Sequence, residues 1–383
     1  MNRKLARENV ALRKSSPERA TPAAAPSPGT SVRDAYAADF QTAYKAVPME
    51  TQGQFRFWGE GGAIWSGGDP VTAPYSLTNF SNNLDLGFAG GGAPNGLFNL
   101  TPKVGWEAAA GFDYRFAGSP WHVSGEFRYG QAKGSGADAS AGSIAPEIMA
   151  LFPPPLAGAA IGGNQTIAAN HRQDRWQADI ALGYDAFGSP SNMMQFKGGL
   201  RIAELVGRTT LADRSQSYIR LGAPIDIFNI GVPIQNIDTS TTSILNQRSS
   251  FFGAGPRVGV EGFVPLGDGW AFDYLGDAAI LFGSQKLTST STVKTTISPA
   301  IVGLFGGGGA NTAATVRDQR FAAVFNADLQ VGVSYWINPN VKISASYRLD
   351  AYFNAFNATF DPNIKDTISR YIHGPRLRVT AQF

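Results

Sequence analysis

The stretch "VGWEAAAGFDYRFAGSPWHVSGEFRYG", residues 104–130, decides the fold of this chain. Val104, Trp106, Ala108, Ala110, Phe112, Tyr114 and Phe116 fall on one face, against Glu107, Asp113 and Arg115 on the other. A period of two is the signature of a strand, whose successive side chains point to opposite faces. The next four residues, "AGSP", carry the Gly, Ser and Pro that tight turns use. The alternation then resumes, with Trp121, Val123, Phe127 and Tyr129 opposite His122, Ser124, Glu126 and Arg128. Residues 104–130 therefore predict a hairpin with one apolar and one charged face.

The same pattern recurs on both sides of this hairpin. Trp176, Ala178, Ile180, Leu182 and Tyr184 oppose Arg175, Gln177, Asp179 and Asp185, and the final "RLRVTAQF" sets Leu377, Val379, Ala381 and Phe383 against Arg376, Arg378, Thr380 and Gln382. With the segments around Phe55, Leu200, Val260, Phe272, Val331 and Ile343, ten strands are expected. Alternation alone does not separate a soluble sandwich from a membrane barrel, but the connections do. Short turns at "AGSP", "FGSPSN", "PLGDG" and "INPN" alternate with long loops near residues 67–101, 132–172, 209–247, 285–317 and 353–368. Strands joined short, long, short, long place all short turns on one side of a layer and all long loops on the other. That is the layout of an outer-membrane barrel, with short periplasmic turns, long extracellular loops and an even strand number. Trp106, Phe116, Trp121, Tyr129, Trp176, Tyr184, Trp270, Tyr335 and Tyr347 lie near strand ends, where aromatic belts anchor in headgroups. The expected fold is all-β, a transmembrane antiparallel barrel of about ten strands over residues 51–383. A strand ending on Phe383 fits a wall member that seals against the first strand, and it resembles the signal read by the outer-membrane assembly machinery.

Composition agrees. Charged residues are 16% of the chain, below the roughly 25% of an ordinary soluble protein, while glycine reaches 45 residues and aromatics 11%. No run of about 18 apolar residues offers a transmembrane helix. The chain has no cysteine, which excludes disulfides and thiol chemistry and suits passage through an oxidising compartment. The first fifty residues hold eight Lys and Arg against five Asp and Glu, and the remainder is neutral, 24 against 24. A neutral body lacks the basic footprint of a nucleic-acid binder.

Residues 1–50 read as a basic, Pro/Ala-rich tail, with Tyr36, Phe40 and Tyr44 at helical spacing within 31–46. Export to an outer membrane calls for a leader with an apolar core of about 7–15 residues. None is visible in 1–30, so the expectation is a wrong or processed start, or a leader already removed.

Three stretches, "GWEAAAGFDYRF" (105–116), "FFGAGPRVGVEGFVPLGDGWAFDYLGDAAILFG" (251–283) and "ASYRLDAYFNAF" (345–356), resemble the pore-forming outer-membrane family related to the Legionella-type major outer membrane protein. They are framework residues of several strands and not a catalytic signature. The resemblance implies a surface-exposed, porin-like channel, while the absence of cysteine leaves disulfide-linked assembly without support here.

The charged face must line a lumen, since lipid does not tolerate it. The candidate lining residues are Glu107, Asp113, Arg115, Glu126, Arg128, Arg175, Asp179, Arg201, Arg257, Glu261, Asp273, Asp328 and Arg348. Arg257, in "GPRVG", is expected to present an accessible guanidinium because glycines flank it. Two readings of the lumen stand: a water-filled pore of weak selectivity, or an ion-pair network filling a narrow barrel. Ten strands lie closer to the filled limit; glycines on the polar face and the resemblance favour a small-solute pore.

Two other classes compete. "WHVSGE" puts His122, Ser124 and Glu126 on one strand face, similar to the H-x-S pair of outer-membrane lipid deacylases and suited in type to acyl transfer. Its inward direction and the lack of an oxyanion motif argue for a structural triplet. "GLFGGGGA" lacks the Lys-Ser/Thr of a phosphate loop. The apolar loop segments 143–169 and 299–310 suit either a lid in the mouth or a partner-binding surface on a non-conducting barrel. The expectation is passive passage of small solutes or ions, with outer-membrane lipid and the assembly machinery as partners and no enzyme activity, metal, cofactor or nucleic acid.

Overall fold

A computed structural model of the chain describes residues 53–76, 95–144, 159–189, 192–225, 234–298, 310–357 and 367–383. The expected tail and helix of residues 1–50 and the apolar stretches 145–158 and 299–309 lie outside them.

Twelve strands follow in order: β1 (Gln54–Gly68), β2 (Thr72–Ser76), β3 (Asn95–Asn99), β4 (Val104–Arg115), β5 (Trp121–Ile144), β6 (Ala160–Ser189), β7 (Asn192–Ile225), β8 (Ile234–Gly267), β9 (Trp270–Ser298), β10 (Asn311–Asn338), β11 (Val341–Asn357) and β12 (Thr367–Gln382). Ten of them close a barrel in the ring order β1, β12, β11, β10, β9, β8, β7, β6, β5, β4, and every neighbouring pair is antiparallel. The seam is made by the ends of the chain's barrel segment. Phe55 N–H donates to the Phe383 carbonyl at 3.1 Å and Phe383 N–H to the Phe55 carbonyl at 2.8 Å. Phe383 is thus the last rung of the β1–β12 ladder, which leaves no open edge there.

The turn end follows local chemistry. In β8–β9 the central residues of the hairpin turn, Asp268 and Gly269, have φ of 50° and 82°, the left-handed pair that a two-residue turn matched to strand twist requires. Outward aromatics pair at the two margins: Trp121 with Tyr184 at 5.0 Å and Trp270 with Tyr335 at 5.1 Å near the turns, Trp106 with Tyr129 at 5.6 Å and Trp176 with Phe252 at 6.2 Å farther up. Between these belts the outward face is apolar and exposed, as Phe127, Ile180, Leu200, Val258, Ile280 and Leu329 illustrate.

The expected loops are corrected in one respect. Residues 132–144, 160–172, 209–225, 234–247, 285–298 and 311–317 continue the strands instead of forming loops. Ladder pairing persists there with Ser, Thr, Asn and Gln frequent across β7, β8 and β9, as in Ser217 opposite Thr239 and Ser240 opposite Thr296. Neither face is consistently apolar, so hydrophobic alternation does not reveal them. β7 alone has 34 residues, and at ~3.3 Å per residue and a tilt of about 45° it rises roughly 80 Å, well over twice an apolar band of about 25 Å. β5 to β10 therefore stand above the shorter β1, β4, β11 and β12 as a curved wall.

The expected loop at 67–101 also carries structure. β2 and β3 pair with each other and dock on the inward face of the wall, where Ala73, Phe98 and Leu100 pack with Ile167 and Ala169 of β6. Gly136 of β5 makes room for this: a Cβ there would lie 2.8 Å from the Phe98 ring. Tyr75 Oη donates to Asp138 at 2.7 Å beside the cluster, a bond that raises the tyrosine pKa and lowers that of the aspartate. Part of the apolar character of 143–169 is thus an interior contact with the β2–β3 hairpin.

Candidate functional site: a layered lumen

Inward positions along the strands stack into layers. Nearest the turns is a cavity of about 140 Å³ lined by Arg56, Trp58, Asp113, Glu126, Lys197, Arg257, Glu261, Asp273, Lys342 and Arg378 among others. Most of its charges are locally paired. Lys197 Nζ lies 2.6 Å from Glu261 and 3.4 Å from Asp113, Lys342 Nζ lies 3.1 Å from Asp273, and Arg115 pairs with Asp185. His122 sits over Gly183, where a Cβ would collide with its ring, and its Nδ1 is 2.7 Å from Asp113. The His122 ring is turned to Asp113, and Glu126 is held by Arg128 at 2.6 Å. His122, Ser124 and Glu126 therefore share a face without forming a relay.

Above the cavity lies a dense set of charges. Seven arginines, Arg128, Arg175, Arg201, Arg257, Arg348, Arg376 and Arg378, interlock with Glu60, Glu107, Glu126, Asp179, Asp277, Asp328 and Asp350. Several bridges cross the full barrel. β5 and β10 are diametrically opposite in the ring, as are β6 and β11. Arg128 of β5 reaches Asp328 of β10 at 3.3 Å, and Arg175 of β6 reaches Asp350 of β11 at 2.5 Å. Among the described residues only side chains cross the lumen here.

A third layer is apolar. Leu205, Phe251, Leu281, Val324, Tyr352 and Phe356 form a buried cluster from β7, β8, β9, β10 and β11. Tyr352 ties it to the far wall by donating to Gln177 of β6 at 2.6 Å. Beyond it, Ile64, Ala132 and Ile372 make a smaller cluster, and His171 accepts or donates a 2.8 Å bond with Thr209.

The expected lining residues all face inward but divide between layers. Glu107, Glu126, Arg128, Arg175, Asp179, Arg201, Arg257, Asp328 and Arg348 meet in the charged septum, whereas Asp113, Arg115, Glu261 and Asp273 belong to the turn-end compartment. Arg257 corrects its expectation. It borders the cavity, but it is only 8% exposed, with Nη1 2.9 Å from Asp179 and Nε 2.8 Å from Asp277. Flanking glycines brought carboxylates close instead of freeing the guanidinium. Glu60 joins these residues, and Arg376 and Arg378, visible on the polar face of the last strand, complete the septum. The apolar layer is not signalled by residue type: Leu205, Phe251 and Leu281 share the inward phase of Arg201, Arg257 and Asp277 but resemble the lipid-facing residues in kind.

A closed antiparallel barrel with aromatic margins, an apolar outer band and a charged interior is a transmembrane barrel of the outer membrane. The sequence matches, over residues 74–379, the family described as the Legionella pneumophila major outer membrane protein precursor. The chain belongs to that family and is an outer-membrane protein of Gram-negative type. No curated protein matches it. Among solved structures it is similar to the outer membrane protease OmpT from Escherichia coli, at 10% identity, covering 88% of this chain and 99% of that one with a TM-score of 0.32. It is also similar to the Pseudomonas putida toluene transporter TodX, at 6% identity, covering 86% and 89% with a TM-score of 0.19. The Ralstonia pickettii toluene transporter TbuX stands at 11% identity, 86% and 89% coverage and a TM-score of 0.22.

Proposed function

We propose that the protein is a gated outer-membrane channel for passive passage of small solutes or ions, with a side-chain septum as its gate. The observation that carries this reading is the nature of the closure. The lumen is lined by charged groups on the turn side of a layer built from side chains, which rotamer exchange can displace without unfolding a strand. A charged network backed by an apolar cluster suits gating, since an apolar constriction excludes water until it widens. Passage needs no covalent step, and the pairing of His122 with Asp113 supports a structural role for that histidine.

Liposomes carrying refolded protein, with folding checked by heat-modifiable gel migration, test the reading through efflux of chloride and of a monosaccharide. Efflux above that of empty liposomes, falling with solute size, is expected. No efflux from folded barrels would sink it. The diametric bridges Arg128–Asp328 and Arg175–Asp350 favour, as second reading, a permanently filled barrel whose tall outer wall binds a partner; the same null result would leave that reading in place.

A further inference from the structure

The outward face of the tall wall carries a row of cations whose spacing is set by the sheet register. Lys133 of β5 lies directly opposite Arg172 of β6, Arg172 opposite Arg208 of β7, and Arg208 opposite Arg248 of β8. The row continues through Thr288 of β9 to Arg317 of β10, and Lys286 sits two residues from Thr288 on the same face. All six cations are exposed. Like charges directly opposite on neighbouring strands destabilise a sheet. One carboxylate, Asp174, relieves Arg172, at 2.9 Å, and Arg208. Among the described residues, Lys133, Arg248, Lys286 and Arg317 have no carboxylate partner. An uncompensated row of this kind calls for an external anion.

Its height identifies the anion. Five of the six cations stand four residues from an outward aromatic at the upper membrane margin: Lys133 from Tyr129, Arg172 from Trp176, Arg248 from Phe252, Lys286 from Phe282 and Arg317 from Phe321. Four residues are ~13 Å of strand, or about 9 Å of height at a 45° tilt. Aromatic belts sit at headgroup level, so the cationic tips reach the charged zone just outside the acyl chains. We infer that this row binds the phosphate groups of phosphorylated glycolipids in the outer leaflet, while the aromatics beneath it pack on their acyl chains. Arginine's planar fork suits phosphate oxygens, and the counter-charge relieves the repulsion along the row.

The test uses the full refolded chain in detergent and diphosphoryl lipid A as probe. Retained lipid is measured by native mass spectrometry for wild type, for Arg248→Gln/Lys286→Gln/Arg317→Gln, and for the charge-conserving Arg248→Lys/Arg317→Lys. None of these side chains belongs to the septum, and heat-modifiable migration checks folding of each. Loss of three cations is expected to weaken binding roughly 100-fold, a factor of about five per cation near an anionic surface. The lysine variant keeps most of the affinity, and dephosphorylated lipid A binds wild type as weakly as diphosphoryl lipid A binds the glutamine variant. Unchanged affinity in the glutamine variant, or equal wild-type affinity for dephosphorylated lipid, would overturn the inference. Inorganic phosphate binding as tightly as the lipid would overturn the assignment to a membrane component.

Discussion

Arg175 and Asp350 meet at 2.5 Å from strands that face each other across the barrel's diameter. A ten-stranded ring is narrow enough for two side chains to span it. Breaking this contact from one side leaves a buried charge: Asp350 also receives Arg128 at 3.1 Å, and Arg175 also holds Glu107. Asp350→Leu is expected to cost about 3–5 kcal/mol, with the companion change Arg175→Met recovering part of it. Tryptophan fluorescence during urea unfolding in detergent reads both. A single variant as stable as wild type would mean that the septum is loosely held.

The apolar cluster above the septum gives a separable prediction. Leu281 is fully buried against Leu205, Phe251 and Val324. Leu281→Ala is expected to cost about 2–5 kcal/mol, as for other core truncations, and the outward Leu329→Ala, on the lipid face, much less. Equal effects of the two would deny that Leu281 packs in an interior cluster.

Why that cluster was hidden in the sequence, when the barrel was not, is a matter of residue type. Residues 104–130 announce strands because lipid on one side and charge on the other enforce strict alternation. Arg128, Arg175 and Arg201 were legible as lumen residues for the same reason. Phe251, by contrast, sits beside outward Phe252, and although its phase with Arg257 turns it inward, its apolar side chain looks like one of the lipid-facing set until its neighbours Leu205, Leu281 and Val324 are seen. The upper wall leaves no such alternation because water bathes it, so residues such as Ser215 and Thr241 need no apolar face to stay in the ladder. Arg257 looks accessible from sequence, which shows the glycines near it but not Asp179 and Asp277 on other strands.

A pH dependence follows from His171, five residues beyond Trp176 and outside the apolar band. Burial pushes its imidazole down to about 4, with the Arg370 guanidinium adding to the shift. An unfolded histidine titrates near 6.5, at about its ordinary value. Between those two values the unfolded chain binds more protons, so His171 lowers stability as pH falls from about 6.5 towards 4 and has no effect above that window. His171→Gln should flatten this part of the profile, read as the difference in urea midpoint from wild type at pH 7.5 and at pH 5. Parallel profiles for the two proteins would contradict it.

Phe383 should matter for closure more than for packing. Phe383 is 78% exposed, yet it makes two backbone hydrogen bonds to Phe55 at the seam. Deleting it is expected to reduce the folded yield several-fold, and Phe383→Leu to reduce it less, since the backbone rung survives. Yields measured by the heat-modifiable band separate the two. Full yield from the deletion would show that the last rung is dispensable.

Single-channel recording in a planar bilayer, comparing wild type with Phe251→Ala/Leu281→Ala, addresses the side-chain gate most directly. Wild type should show brief, infrequent steps that scale with salt, and the double variant should stay open longer at equal or larger step size. A steady, large wild-type conductance, or silence from folded protein of both kinds, would contradict a gate made of these side chains.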